Sequence, residues 1–557
     1  MKKSKAKNLK SLLKCVAFLV IINVIGISFY YRFDLTQDKR YTLSHTTEEI
    51  LDNITEQVVI DVFLDGKFPQ GFKRLQTETR ELLEEFSIRN PLVKFQFINP
   101  AEESGTEEDL LNFGLRPMSL TMTEKGGQTQ LAIFPWAIVS KGEAATKVQL
   151  LKNMMGANTE EKVLTSVQHL EYVFADALYK LNLDKKNKIA VLKGNGELDD
   201  IYMADFLMSL RESYHIAPFT LDSVANNPVE TLKKLQEYDL AIIAKPTKEF
   251  TGDQIETLDQ FVMNGGKTLW LLDQVQADFD SLRTNQSMLV FPKDQSLGEL
   301  LFKYGVRINP VLVKDEIATP IKLAIGRQGS ETQYGEFMWK FAPFVYPNSE
   351  HPIVKNIEGL KLDFVSPIDT IKNNISKTIL LESSKYSNLV GTPNEISLAV
   401  INEETTPEMY EGKGNYILGV LLEGEFTSVF KNRVLPFAFK DAIYESKPTK
   451  MIIVSDGDII KNQLDNRGVP LELGYDKWMN KLYGNKEFLL NSVNYLLDYS
   501  GLINLRTKEV KIPMLDKVRV SEKYSAIQII ALVVPILLVI VLGVLFFFIG
   551  KRFFVKK

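Results

Sequence analysis

The feature that most constrains this chain is a stretch of 25 consecutive residues without a charge, Ala526–Gly550, reading AIQIIALVVPILLVIVLGVLFFFIG. At ~1.5 Å per residue a helix of this length spans about 37 Å, more than the ~30 Å hydrocarbon core of a bilayer. A second run, CVAFLVIINVIGISFYY at Cys15–Tyr31, has 17 uncharged residues. It reaches only about 25 Å, and Lys14 by snorkelling and Tyr30–Tyr31 as an interfacial anchor extend it. Its end carries bulky aromatics where a signal-cleavage site needs small residues, so the run reads as an uncleaved anchor. Membrane helices are therefore expected at 12–31 and 526–550.

Charge sets the orientation. Lys2, Lys3, Lys5, Lys7, Lys10 and Lys14 make 1–14 a basic tail, and Lys551, Arg552, Lys556 and Lys557 do the same at 551–557. Both termini are then cytoplasmic, and 32–525 forms one large domain region outside. Removing those ten residues leaves 56 basic against 70 acidic side chains in the rest of the chain. That sign is wrong for a nucleic-acid groove, so no nucleic-acid partner is expected.

Between the spans, strand and helix patterns alternate. A helix begins at His45 after Ser44 as N-cap, VVIDVFL (58–64) is a strand, FKRLQTETRELLEEFSIRN a helix, and VKFQFIN (93–99) a second strand. A parallel pair with a right-handed crossover follows, then a hairpin around Gly126–Gly127. The pattern suits a thioredoxin-like α/β domain over 32–152. Cys15 is the chain's single cysteine, which removes any redox pair or thiol nucleophile from that domain.

Asn158 and Glu161 form a capping box for a long helix. From 158 to 510 the continuous apolar strands KIAVL (188–192), YDLAIIA (238–244), TLWLLD (268–273) and KMIIVSD (450–456) alternate with helices. Strands of this kind are buried on both faces, so a flavodoxin-like, doubly wound parallel sheet is expected, with an insertion at about 296–445. The helix at 485–501 is expected to end on Gly501.

Two glycine motifs resemble nucleotide loops and are read as structural. Gly266–Lys267–Thr268 lacks the upstream glycine of a phosphate loop, that position being Phe261, and it follows a helix instead of opening one. Gly194–Asn195–Gly196 has Asp199 at the third glycine position of the dinucleotide pattern. His45, His169, His215 and His351 show no metal-ligand spacing, and no GxSxG elbow occurs. No cofactor, metal or catalytic residue is assigned. Acidic residues at predicted strand ends, Glu197, Asp199, Asp200, Asp273, Asp456 and Asp458, are the candidate crevice, because a doubly wound sheet gathers its carboxyl ends on one edge. Local turn and capping chemistry is the competing reading. In the spans, Asn23, Gly26 and Ser28, with Gln528, Pro535 and Gly543, are the candidate helix–helix contacts.

The segment RFDLTQDKRYTLS (Arg32–Ser44), the helix LEYVFADALYKL (170–181), NGGKTLWLLD (264–273) and SDGDI followed by NKEFLLNSVNYLL together resemble the GldG family, auxiliary proteins of gliding-motility-associated ABC transporters. The resemblance covers nearly the whole chain. It implies an inner-membrane protein with a periplasmic 32–525, a glutamine-amidotransferase-like middle domain lacking the thiol triad, and two partners: a multi-pass permease (GldF-like) and, through it, a cytoplasmic ATPase (GldA-like). Where related proteins show a GHGE turn, Gly194–Glu197 reads GNGE. The leading function is a non-enzymatic auxiliary subunit. The alternatives are a solute- or envelope-polymer-binding module using the crevice, and a hydrolase with an unrecognised site.

Overall fold

The computed structural model describes residues 13–14, 16–21, 42–102, 106–124, 127–152, 157–183, 187–498, 500–507 and 517–554. The chain divides into two units, Met1–Lys508 and Glu509–Lys557. Asn23, Gly26, Ser28 and the segment from Arg32 to Tyr41 lie outside the described residues, as does most of the first apolar run.

The first unit is mixed α/β. Its N-terminal sheet has the order β2–β1–β5–β6, built from β1 (Val58–Val62), β2 (Val93–Phe97), β5 (Trp136–Lys141) and β6 (Ala144–Gln149). β1 runs parallel to β2 and antiparallel to β5. The crossover helix Gln70–Arg89 buries Phe72, Leu75, Leu83 and Phe86 against this sheet side, at the i, i+3, i+4 spacing of an amphipathic helix. The intervening hairpin, β3 (Met118–Glu124) with β4 (Gly127–Ile133), forms a separate two-stranded ribbon. The expected N-caps are both present. Ser44 accepts a hydrogen bond from Thr47 N–H, and Asn158 and Glu161 make a full capping box for the helix Thr159–Asn182. That connector helix packs on Gln70–Arg89, on β6 and on the turn Leu502–Thr507.

The large sheet is centred on five parallel strands: β7 (Lys188–Lys193), β8 (His215–Thr220), β9 (Leu240–Ala244), β10 (Lys267–Leu271) and Thr449–Val454. In space they run β8–β7–β9–β10–(Thr449–Val454), all pairs parallel. Side-chain alternation divides the buried residues between two cores. Ile189, Val191, Ile242, Leu269 and Ile452 pack with Phe206 and Phe488 on one face; Leu192, Ala241, Ile243, Trp270 and Ile453 pack with Leu258 and Phe261 on the other. Each such fully buried large side chain contributes about 1.5–3 kcal/mol of transfer free energy, which is why these runs are apolar throughout.

Beyond Thr449–Val454 the sheet continues antiparallel. Ile417–Gly424 pairs with it, followed by Ile368–Thr370 and Val306–Ile308, while Ser376–Glu382 also pairs with Ile417–Gly424. The weakly periodic 296–445 region thus adds strands to the main sheet. It also carries a long hairpin, Ala318–Gln328 with Glu331–Val345. The last helix of the unit spans Asn485–Leu497, shorter than the expected run to Gly501. The Asp498 carboxylate accepts bonds from Ser500 N–H and Oγ, Gly501 N–H and Ile503 N–H, which draws the chain into a turn at once.

The helix Gly252–Met263 carries a buried acid, Glu256, whose Oε2 accepts Phe437 N–H at 2.9 Å. Burial pushes this carboxyl up to about 7, Asp253 and Asp259 add to the shift, and the Phe437 N–H opposes it. The native state therefore binds more protons than the unfolded chain between the unfolded value of about 4.3 and about 7, so Glu256 makes stability fall as pH rises through that window. Thermal melts of Glu256→Gln across pH 5–8 should show a flatter profile than the parent and a higher midpoint at neutral pH. Identical slopes would show that Glu256 does not titrate there.

In the second unit, Tyr524–Phe554 is one continuous helix with Pro535 inside it. Its Tyr524–Ile549 portion is long and apolar enough to cross a membrane. Gln528 Nε2 donates to Tyr524 Oη within the helix, and a Cβ at Gly543 would meet open space.

Candidate functional site

Three of the six candidate acids converge. Asp273 follows β10, and Asp456 and Asp458 follow Thr449–Val454, at the carboxyl edge of adjacent parallel strands. One carboxylate oxygen from each lies within 4.8 Å of the others. Between them stands a residue that sequence reasoning missed. Lys245 directly follows β9, with φ at 54°, and its backbone N–H donates to Leu271 O. A non-glycine residue in the left-handed region is uncommon. Its ammonium is 3.2 Å from Asp273 Oδ2 and donates to Asp458 Oδ2.

The remaining acceptors of this group are largely committed. Asp273 Oδ1 accepts Gly457 N–H at 2.5 Å. Asp456, fully buried, accepts Asp458 N–H at 2.7 Å and Asp363 N–H at 2.9 Å. Lys461 Nζ is 3.8 Å from Asp458 Oδ1. Burial pushes the Asp456 carboxyl well up, and the neighbouring acids Asp458, Asp273 and Asp363 push the same way. For Lys245 burial favours the neutral amine, but Asp273 and Asp458 outweigh it and hold the ammonium above its usual range. Lys293, facing the same group, is lowered by burial first, with Asp273 opposing and Lys245 adding. Gly457 is required by close approach: a Cβ there would lie 2.7 Å from Lys245 Cγ and 3.0 Å from Asp273 Oδ1.

Chemically this is an internal ion cluster in which an ammonium occupies the place a cation would take. Ca²⁺ or Mg²⁺ would take about six oxygens or more, waters included, and in this arrangement the Lys245 ammonium already sits on two of the three carboxylates. The signal for Lys245 was present in the sequence as a charge directly after five buried apolar residues.

The other three candidates sit apart from the cluster. Asp200 pairs with Lys193 at 2.8 Å, and Glu197 Oε2 accepts Asn195 N–H at 2.8 Å. Asp199 precedes the short turn Asp200–Tyr202 without capping it. The GNGE turn is a fastening. Asn195 is buried, donates to Gln254 Oε1 and Glu249 O, and accepts Thr247 and Lys248 N–H on its carbonyl. A Cβ at Gly196 would meet Thr247 Oγ1 at 2.0 Å. Burial raises the Glu197 carboxyl, with the turn's own N–H groups opposing. The GKT stretch is a helix exit, where Gly265 takes φ 94° and Gly266 packs against Phe261 so closely that a Cβ would come within 2.5 Å of the ring.

The four histidines lie elsewhere. His45 faces Glu49, His215 opens β8, His351 meets Tyr495 edge to face with ring centres 4.7 Å apart, and His169 is buried beside Tyr172. A cleft of about 140 Å³ lies between the connector helix and the chain after Asn485–Leu497, lined by Tyr172, Asp176, Tyr214, Asn494, Asp498 and Ile503 among others.

Comparison with known proteins places residues 186–492 in a match to the family described as an ABC-type uncharacterized transport system. Residues 37–140 match a domain of unknown function, DUF7088. An uncharacterized protein of Borreliella burgdorferi is 21% identical over 532 residues, covering 94% of each chain. Among solved structures, the mmIFT52 N-terminal domain aligns over 56% of this chain and 97% of its own, at 15% identity and a TM-score of 0.33. That likeness is too slight to carry an argument about fold.

Proposed function

Since the chain belongs to the family of ABC-type transport system auxiliary components, we propose that it serves an ABC transporter as a non-enzymatic, membrane-anchored subunit. In this reading the spans at 12–31 and 526–550 hold it in a bacterial inner membrane, with both termini cytoplasmic and 32–525 periplasmic. Its partners are a multi-pass permease of the GldF type and, through it, a GldA-type ATPase, in the setting of gliding motility. The N-terminal domain is thioredoxin-like, supported by its β2–β1–β5–β6 order, and the larger one flavodoxin-like, supported by five parallel strands of which the first in chain order lies second from the edge.

The observation that carries the proposal is the family match across 186–492. Geometry supports the non-enzymatic part, because Asp273 and Asp456 are committed to Lys245 and to backbone N–H groups and Asp458 holds Lys245 through Oδ2, its Oδ1 alone having no hydrogen-bond partner among the described residues. ATP lies inside the cell while the bulk of the chain lies outside, so coupling passes through the spans or a partner's helices. Small and polar positions favour such contacts in lipid. Leu at Gly26 and at Gly543 should therefore reduce co-purification of the permease while the melting temperature of the folded unit stays unchanged. Wild-type assembly by the double variant would make the spans mere anchors and turn attention to Arg32–Ser44.

A solute-binding role is the second reading, favoured by the cleft at Tyr172, Asp176 and Tyr214 rather than by the acidic crevice.

A further inference from the structure

We propose that the connector helix Thr159–Asn182 is a clasp that couples the two ends of the folded unit, the chain arriving from the first apolar run and the chain leaving toward the second. Its relevance to transport rests on the anchored-subunit reading; its test does not.

The arriving end is fastened at Glu171. Its Oε1 accepts Ser44 N–H at 2.7 Å and Thr47 Oγ1–H at 2.9 Å, while Ser44 also caps the helix His45–Asp52. The departing end is fastened at the next residue. Arg506, in the turn Leu502–Thr507, sets its guanidinium 5.3 Å from the centre of the Tyr172 ring. That guanidinium is buried, and each of its three nitrogens donates a hydrogen bond. It donates to Pro352 O at 3.1 Å, Asn491 Oδ1 at 3.1 Å, Lys355 O at 3.3 Å and Glu487 Oε1 at 2.9 Å. Lys152, just before the connector, joins the same Glu487 oxygen at 2.8 Å.

Consecutive helical residues point about 100° apart, so the two fastenings grip different sides of one rigid rod. A turn or slide of the rod that frees one of them shifts the other. His169 stands one turn earlier on the rod, buried, with neither ring nitrogen hydrogen-bonded among the described residues. Burial, then Lys152 and Arg506, hold it uncharged, which leaves both cations facing Glu487 without a third.

Hydrogen exchange on the full chain in lipid nanodiscs tests the coupling. Arg506→Met should speed exchange at Leu502–Thr507 and also in the helix His45–Asp52; Thr47→Val should do the reverse, acting at its own end and at Leu502–Thr507. An effect at the distant end of about fivefold or more, the lower range for coupled sites, is expected in both directions. If Arg506→Met fails to fold, Arg506→Lys keeps the charge, loses the planar fork, and should give the same pattern at reduced size. Changes confined to each variant's own end would overturn the clasp. The readout needs no permease, so it fails independently of the transporter assignment.

Discussion

Lys245→Met should cost the folded unit roughly 3–5 kcal/mol near neutral pH, the usual consequence of removing one partner from a buried ion pair. The variant leaves Asp273 and Asp458 without their ammonium and Asp456 with backbone N–H donors alone. Asp456, already pushed up by burial, rises further. The native state then holds protons that the unfolded chain has released, so the variant's stability falls as pH rises above the ordinary carboxylate range. The deficit should shrink toward acid pH. Adding Asp458→Asn to Lys245→Met should restore part of the loss, because it removes a charge from the other side of the pair. Denaturant or thermal melts at several pH values check both points. A Lys245→Met protein as stable as the parent at pH 7–8 would show that the cluster is not held by that ammonium.

The second large effect is expected at Glu487. Replacing it with Gln leaves Lys152 and Arg506 facing one another without a carboxylate, at a cost of again about 3–5 kcal/mol. Burial alone would raise the Glu487 carboxyl, but Lys152 and Arg506 outweigh it and hold it below its usual value. Its contribution is therefore present above the unfolded carboxylate range and lost as pH falls through the lowered native value. The parent and Glu487→Gln should differ most at neutral pH and converge in strong acid. Lys152, which burial lowers to about 8 with Glu487 opposing, should lose its proton at lower pH in the variant. Parallel pH profiles would contradict this account.

Much of the scaffold was legible because it follows local rules. Runs such as LAIIA at 240–244 are buried at every position, which only a strand covered on both faces requires. The caps at Ser44 and Asn158 are short-range hydrogen-bond chemistry. What escaped depends on distant partners. The strand YILGVLL at 416–422 is readable from its apolar run, but its antiparallel pairing with Thr449–Val454 is not. The helix at 485–497 stops early because Asp498 competes for the following N–H groups, an effect that a glycine cap at Gly501 does not predict.

The candidate site shows the same division. That strand ends gather acids is a property of topology, and Asp273, Asp456 and Asp458 follow from it. Glu197, Asp199 and Asp200 obey the same sequence rule, yet their turn is drawn toward Lys193, Thr247 and Lys248. Lys245 is marked in the sequence only as a charge after an apolar run, and such a lysine is ordinary until its carboxylates are known. Arg506 and Glu487 likewise reach Lys152 and Tyr172 across more than three hundred residues of chain, a distance over which no spacing pattern operates.

Gentle purification of the tagged full chain from its own membranes, with identification of every co-purifying protein, tests the central claim most directly. The account predicts a multi-span permease in fixed ratio to this chain, accompanied by a cytoplasmic ATPase that is lost when the permease is removed. Recovery of the chain alone, or with partners that include neither protein, under conditions that keep other membrane complexes intact, would contradict it.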